Sequence, residues 1–338
     1  MPLPPARPHP FPLLRPTVGA LLLLAAAAAM PAGAQAHWGV VNLQNDVFVG
    51  RDGGGYTNGL YLSSVRRANG DEGWGPTRAL GSLAQALGGG TAAFNAHTLG
   101  HAMATPRDIS TPTPDPNDAP YAAALMYRAA HVLRTERGAD LWALTLGVTG
   151  PAAGGKHVQK LVHKITGSEE PRGWDTQQGN RFHAGLEFDR AWLLAGRSAG
   201  AGGTPWELTA HAGGIASTLE SSAGVKLLVR YGGGVGDPSE AMGLLSRGSD
   251  PLSLRRGWQG FAGVSLRRVF HTHDFQRDDP WRIDMREWRR NRATVVAGLA
   301  YSWGQASLSF ALHSADPALK AGGQRQTYGS LTYAFALR

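Results

Sequence analysis

Small oxygen-bearing side chains flank one short loop near the beginning of the chain. Asn45-Asp46 closes one segment of alternating apolar and polar residues, and Tyr56-Thr57 opens the next. The amide, carboxylate and hydroxyl oxygens of Asn45, Asp46 and Thr57 are of the kind that hold a hard cation or surround a reacting carbonyl group. Asn and Asp also close turns at strand ends, so these residues alone leave a purely structural role open.

A histidine lies far downstream on a predicted helix. The glycine-rich segment 150–155 opens this helix, which carries His163. Ester hydrolysis needs a base whose pKa lies near the working pH, and an imidazole meets that requirement. The alternative is that His163 simply packs beside the apolar stripe of the same helix, which consists of Val158, Leu161, Val162 and Ile165. Together with Asn45, Asp46 and Thr57, the histidine suggests an esterase site without a serine nucleophile.

Three lysines form a basic ridge on the same helix, because Lys156, Lys160 and Lys164 recur at every fourth position. Such a ridge is often an ordinary solvated face. The sharper interpretation is that it binds phosphate groups, which lysine contacts as a point charge. The sequence contains no nucleotide-binding loop and no zinc signature, so neither nucleotide nor nucleic acid is an expected partner.

The first 36 residues are typical of an export signal. Arg7 and Arg15 precede the apolar run 21–30, and small residues lead to an A-x-A exit at residue 36. The run is too short for a membrane-spanning helix, which needs about 20 residues. We therefore predict a signal peptide at 1–36 and a single mature domain at 37–338. The chain has no cysteine, so no disulfide framework holds this exported domain.

The mature chain alternates between apolar and polar residues with a period of two, which indicates β-strands with one apolar and one polar face. We predict twelve strands, near 39–49, 58–67, 92–104, 121–135, 139–150, 180–195, 205–218, 221–232, 256–270, 291–303, 305–316 and 324–337. A short helix is expected near 78–87. An even number of long alternating strands in an exported chain favours an all-β, transmembrane antiparallel barrel in the bacterial outer membrane, over a soluble barrel or sandwich.

Strand parity predicts where the polar residues meet. If the chain starts on the periplasmic side, the connections after odd-numbered strands are extracellular. Asn45 and Asp46 at the end of strand one, Thr57 at the start of strand two and His163 in the loop after strand five would then share one rim. A single outward-facing site is the resulting hypothesis.

The ordered motifs resemble those of the outer-membrane lipid A 3′-O-deacylase family. They comprise Asn45-Asp46, Tyr56-Thr57 and the helix that reads Gly-Pro-x-x-Gly-Gly-x-x-Val-Gln-x-x-x-His from Gly150 to His163. The resemblance implies a twelve-stranded barrel that removes the 3′-linked acyloxyacyl chain of lipid A in the outer leaflet, with calcium in the site. It further implies that His163 is the general base, that Asp46 helps to hold the cation, and that Asn45 and Thr57 position groups around the ester.

The chain departs from the family pattern in one loop. Some members carry an additional catalytic lysine there, but the stretch 105–120 contains none, and Arg107 is its only strong cation. An arginine pairs well with a lipid phosphate but is a poor proton carrier. Two other functions remain open at this point: an outer-membrane phospholipase with the same water-attack chemistry, and a non-catalytic barrel or pore. A monomer is the expected state for a closed barrel.

Overall fold

Twelve antiparallel strands make up most of the protein. The computed structural model describes residues 37–49, 55–68, 73–115, 118–198, 200, 202–243, 250–273, 288–318, 320 and 325–337. The strands are β1 (His37–Asn45), β2 (Gly55–Arg67), β3 (Thr91–Thr105), β4 (Ala122–Thr135), β5 (Gly138–Thr149), β6 (Arg181–Arg197), β7 (Trp206–Ser217), β8 (Glu220–Tyr231), β9 (Gly257–Thr272), β10 (Asn291–Ser302), β11 (Ala306–Ala315) and β12 (Gln326–Leu337). Two helices lie in connections, α1 (Pro76–Ala86) and α2 (Gly155–Thr166).

The sheet closes on itself. Each strand pairs with its neighbours in sequence, and β1 completes the barrel by pairing with β12, where Val41 lies opposite Tyr333. Closure leaves no unpaired edge, as the hydrocarbon core of a membrane requires. Among the described residues, neither helix combines the length and apolarity needed to span a bilayer.

The period-two pattern of the sequence corresponds to the two surfaces of the barrel. On β6, Phe182 and Leu186 are exposed on the outer surface, whereas His183 and Glu187 are buried towards the lumen. On β11, Phe310 is likewise exposed on the outside, and its polar neighbours face inwards. The predicted transmembrane antiparallel barrel is therefore confirmed, with an apolar outer wall for lipid and, along β6 and β11, a polar inner face.

All twelve predicted strands and the helix predicted near 78–87 are present, with small shifts at their ends. The clearest difference is at β1, which ends at Asn45 although the apolar residues that follow it extended the prediction to 49. Val47–Val49 instead form a 3-10 turn, in which the backbone amide of Val49 donates to the carbonyl of Asp46. The turn ends the pairing of β1 directly after Asn45-Asp46 and places the ring of Phe48 6.2 Å from that of Phe310 on β11.

The barrel has two different ends. Connections after odd-numbered strands, including the one with α2, lie at what we term the α2 end. Connections after even-numbered strands, including the one with α1, lie at the α1 end, where β1 begins and β12 finishes. An apolar cluster lies inside the barrel near the α1 end, where Met242, Leu252 and Leu254 of the β8–β9 connection pack against the inner faces of the strands.

Candidate active site

A β-bulge directs Thr57 onto the outer wall of the barrel. Tyr56 pairs with Ala104 and Asn58 with Met103, so Thr57 is the extra residue in β2. Tyr56 points inwards and donates its hydroxyl to Gln44 Oε1 at 2.6 Å. Thr57 Oγ1 lies 2.8 Å from Thr105 Oγ1. The bulge thereby redirects a side chain that simple alternation would have placed in the lumen, as bulges beside active sites do.

The outward direction of Thr57 follows from its partner on β3. Leu99, six positions before Thr105 and therefore on the same face of β3, is 51% exposed on the lipid-facing surface. Asn45, the Cα partner of Asn58, is also on the outer face, because Gln44 beside it points into the lumen. The candidate residues of β1 and β2 therefore lie on the outside of the barrel wall, near its α2 end.

Asp46 follows Asn45 and is only 6% exposed. Its carboxylate, the amide oxygen of Asn45 and the hydroxyl oxygens of Thr57 and Thr105 are all oxygen donors, and their residues lie at or directly after the α2 ends of the neighbouring strands β1, β2 and β3. Within the described ranges, no group of three or more His, Cys, Asp or Glu side chains is arranged to hold a metal. The donor chemistry fits calcium, which accepts carboxylate, amide and carbonyl oxygens together with water.

The segment before α2 is anchored to the outer face of β3 and β4. His101 Nε2 on β3 lies 2.9 Å from the carbonyl oxygen of Ala153, to which it can only donate. A buried cluster seals this contact, formed by Met103, Tyr121, Ala123, Ala153 and Trp174. A Cβ atom on Gly155 would come within 2.5 Å of both the Cβ of Ala123 and the ring of Trp174. The glycine-rich motif therefore permits the helix to begin in close contact with the wall.

A buried hydrogen bond fixes which face of α2 turns towards this cluster. Trp174 Nε1 donates to Gln159 Oε1 at 2.6 Å, and both side chains are buried. His163 is one helical turn after Gln159, so the two side chains share a face. His163 is therefore placed on the inner side of the helix, towards the same wall that carries Thr57 on the adjoining strand.

The turn after α2 determines the tautomer of His163. Gly167 adopts the left-handed conformation with φ of 72° and ends the helix, and the amide of Ser168 donates to the carbonyl of His163. The reversed chain brings the carbonyl of Glu169 against the ring, where Nδ1 of His163 forms a hydrogen bond with it. A carbonyl oxygen only accepts, so Nδ1 carries the proton and, in the neutral ring, Nε2 carries the lone pair.

The basic ridge is partly engaged in ion pairs. Lys156 Nζ donates to Asp175 at 2.6 Å, and Lys160 Nζ donates to Glu170 at 2.7 Å. These hydrogen bonds lower the pKa of both carboxyl groups. Lys164 is exposed on the same flank. The lysines therefore attach α2 to the segment that follows it, a contact that the sequence pattern did not predict.

The other predicted residues of the site lie at the same end of the barrel. Arg107 is exposed in the β3–β4 connection, where its backbone amide donates to Asp118 at 2.8 Å. The structure thus places Asn45 and Thr57 on two paired strands, with Asp46 directly after Asn45, and it places His163 and Arg107 in the next two connections of that end. No motif in the sequence indicated His101 or Thr105, although their odd positions on β3 share the outward face of Leu99.

A serine nucleophile is not supported by position. Gly196-Arg197-Ser198-Ala199-Gly200 matches the letters of the G-x-S-x-G pentapeptide. That motif works when a strand passes through a sharp turn into a helix. Here β6 leads to β7, another strand, and the connection lies at the α1 end, opposite His163.

Comparisons with known proteins identify the family. A family model described as outer membrane protein LpxR matches residues 18–337. The solved structure of LpxR from Salmonella typhimurium is similar in fold, with a TM-score of 0.72 and 18% identity over 89% of this chain and 100% of that chain. The β domain of the Bordetella autotransporter BrkA gives a TM-score of 0.43 at 12% identity, over 90% of this chain and 100% of that one.

A search of curated proteins gave no significant sequence match. The family model, however, covers nearly the whole chain, and the twelve-stranded barrel agrees with it. The chain belongs to the LpxR family of outer-membrane lipid A deacylases.

Proposed function

We propose that the protein hydrolyses the 3′-linked acyloxyacyl ester of lipid A in the outer leaflet, with water as the nucleophile and His163 as the general base. The observation that carries the proposal is the tautomer of His163. Because Glu169 accepts the proton of Nδ1, the lone pair of the neutral ring is on Nε2, the nitrogen further from the helix end. A base held in one tautomer, on the helix face that points towards the wall, is suited to this reaction.

In the proposed reaction, Nε2 of His163 takes a proton from water as the water oxygen attacks the ester carbonyl carbon. The imidazolium that forms keeps its Nδ1 proton on the Glu169 carbonyl. When the tetrahedral intermediate collapses, the bond to the sugar oxygen breaks and Nε2 returns the proton to that oxygen. A sugar hydroxyl and a free acyloxyacyl acid are the products, and His163 is neutral again.

The residues of β1 and β2 would position the ester. Asp46 would help to hold calcium, which when bound supplies positive charge for the oxyanion, and Asn45 would position groups around the ester. Thr57 is held through its hydroxyl to Thr105, and would orient the carbonyl group or the attacking water. Arg107 and the lysine ridge, Lys156, Lys160 and Lys164, would pair with the phosphates of lipid A. Of the three lysines, Lys164 is the best placed, because the other two already pair with Asp175 and Glu170.

The proposal includes a location and an orientation. The predicted signal peptide, 1–36, lies outside the described residues and would direct export. We infer that the α2 end faces the cell exterior, since lipid A occupies the outer leaflet, and that the barrel acts as a monomer. Against the pore alternative, the apolar cluster around Met242, Leu252 and Leu254 occupies part of the lumen near the α1 end.

Mass spectrometry of lipids from cells with and without the gene tests the proposal. The expected result is lipid A that lacks one acyloxyacyl unit only when the gene is present. Altered phospholipids with intact lipid A would indicate the phospholipase, and unchanged lipids would indicate a non-catalytic barrel. For the purified protein, deacylation that persists in the presence of a calcium chelator would exclude a role for calcium, without excluding His163 as the base.

A further inference from the structure

One flank of α2 exposes a row of apolar side chains. Leu161 and Ile165 are 60% and 76% exposed, and Val158 is 38% exposed. Val158 and Leu161 are three residues apart and Leu161 and Ile165 four, so the three form one stripe along the helix. A stripe of this kind on a soluble surface would place large apolar groups in water, which is unfavourable. We call Val158, Leu161 and Ile165 the apolar flank.

The other faces of α2 are accounted for. Gln159 is buried against Trp174, and His163, one helical turn later, contacts the carbonyl of Glu169. Lys156 and Lys160 pair with carboxylates of the following segment. The helix therefore has an anchored face, a charged flank and an apolar flank, which is the arrangement of helices that lie in a membrane interface.

The apolar flank is continuous with the lipid-facing belt of the barrel. The anchor of the α2 segment, His101, is four residues before the end of β3, which corresponds to roughly 13 Å along the strand. Leu60 on β2 is the Cα partner of His101, and Leu62 is the partner of Leu99. All three leucines are exposed on the outer surface. Apolar, lipid-facing side chains therefore reach the level at which the α2 segment is attached.

We propose that the apolar flank of α2 is immersed in the acyl-chain layer of the membrane leaflet at the α2 end. The occupant of this surface is the hydrocarbon of the bilayer lipids, and the charged flank with Lys156, Lys160 and Lys164 lies at the level of the headgroups. The helix is thus an interfacial element that keeps His163 at the boundary between headgroups and acyl chains. This inference depends on the barrel being in a membrane and does not depend on hydrolysis.

Because the chain has no cysteine, a single introduced cysteine can be labelled selectively. A nitroxide is attached to Leu161→Cys, Ile165→Cys or Val158→Cys in the full barrel, reconstituted in liposomes of lipopolysaccharide and phospholipid. Collision rates with oxygen, which concentrates in hydrocarbon, and with a water-soluble nickel complex are then measured. Lys164→Cys on the charged flank is the aqueous control, and Leu99→Cys on β3 is the lipid-facing control.

The expected result is an oxygen-to-nickel ratio at positions 161 and 165 several-fold above that at 164 and close to that at 99. A ratio at 161 and 165 equal to that at 164 would overturn the inference, because both flanks would then be in water. Spectral broadening at 161 or 165 that disappears on dilution with unlabelled protein would also overturn it, since a second copy would then cover the flank. Heat-modifiable migration in electrophoresis confirms that each labelled barrel is folded.

Discussion

Two connecting segments, one at each end of the barrel, fold in opposite directions. At the α2 end, the β5–β6 connection folds over the outside of the wall and is held there by Trp174 and Gln159. At the α1 end, the β8–β9 connection turns into the lumen, where Leu252 is buried in the apolar cluster. Ser330 reaches the same connection by donating to Asp250 Oδ2 at 2.6 Å.

This difference separates stability from function. The inward-folded segment shares its core with the inner faces of many strands, so its loss should lower the free energy of unfolding of the whole barrel. The outward-folded segment packs on the outer ends of β3 and β4, away from the lumen, so the barrel should remain folded without it. Substitutions at the α2 end should therefore alter activity, and those at the α1 end should alter the free energy of unfolding.

Replacement of His163 by Ala should have the largest effect on activity. Removal of a general base typically costs about 10²–10⁴-fold in rate. We expect a loss of that size in kcat for lipid A deacylation, with an unchanged melting temperature. His157→Ala on the same helix is the matched control, because His157 is exposed and should retain full activity. Full activity of His163→Ala would exclude the histidine as the base.

Trp174→Ala and Leu252→Ala test the separation of the two ends most directly. Trp174→Ala removes the hydrogen bond to Gln159 and the ring contact with Tyr121, whose centroid is 5.0 Å away. We expect rapid amide exchange in α2 and loss of activity, with little change in barrel melting. Leu252→Ala creates a cavity and should cost about 2–5 kcal/mol in the free energy of unfolding. Equal losses of barrel stability in both variants would contradict the comparison.

Glu240 gives the α1 end a pH dependence. Burial raises the pKa of its carboxyl group to about 7, against the opposing effect of Arg230 and Arg67. Between the ordinary value of 4.5 and about 7, the folded state holds a proton that the unfolded state has lost. The free energy of unfolding should therefore fall as pH rises through this range and level off above it.

Glu240→Gln should abolish this loss, so the variant should gain stability relative to the parent as pH rises from 5 to 8. Chemical denaturation of the barrel in detergent at several pH values measures the effect. Parallel curves for parent and variant would show that Glu240 does not titrate in this range.

Much of the fold could be predicted because alternation is local. The period of two on β6 and β11 is visible in a few residues, and it gave both the strands and their lipid-facing sides. The end of β1 was missed because Val47 and Phe48 continue the apolar pattern of a strand. Whether such residues pair or turn depends on the partner strand, which a local pattern does not contain.

The site was harder to predict than the fold. The direction of Thr57 depends on a bulge, and the bulge is defined by the register of β2 against β3 rather than by any residue in β2. The motif from Gly150 to His163 indicated a helix with a histidine. The tautomer depends on the carbonyl of Glu169, which reaches the ring only through the turn at Gly167. Contacts of this kind appear only once the chain is folded.

Gly167→Ala should have a smaller effect, confined to the α2 end. An L-residue in the left-handed conformation costs roughly 1–2 kcal/mol, so the turn that carries Glu169 should loosen. We expect a several-fold fall in kcat with little change in KM. ¹⁵N NMR of the His163 ring should show a smaller population with the proton on Nδ1.

Gly88→Ala is the matched control at the α1 end. Gly88 has φ of 77°, close to the 72° of Gly167, and at both positions an added Cβ would contact nothing within 4 Å. The backbone strain should therefore be equal in the two variants, and only Gly167→Ala should reduce activity. An equal fall in both variants would mean that strain anywhere in the chain lowers the rate, and the tautomer argument would fail.

Neutralising the lysine ridge should produce the smallest effect. Exposed ion pairs contribute about 0–1 kcal/mol, so replacing Lys156, Lys160 and Lys164 with Gln should leave stability nearly unchanged. If the ridge contacts lipid phosphates, the triple variant should raise KM several-fold at constant kcat, and Lys164→Gln alone should account for most of the rise.

Arg134→Gln is the control for the loss of a cation. It breaks the 2.6 Å pair with Asp237 at the α1 end, far from the proposed lipid A site, and should leave KM unchanged. An unchanged KM in the triple variant would reduce the ridge to a structural role, because its pairs with Asp175 and Glu170 would then be its whole contribution.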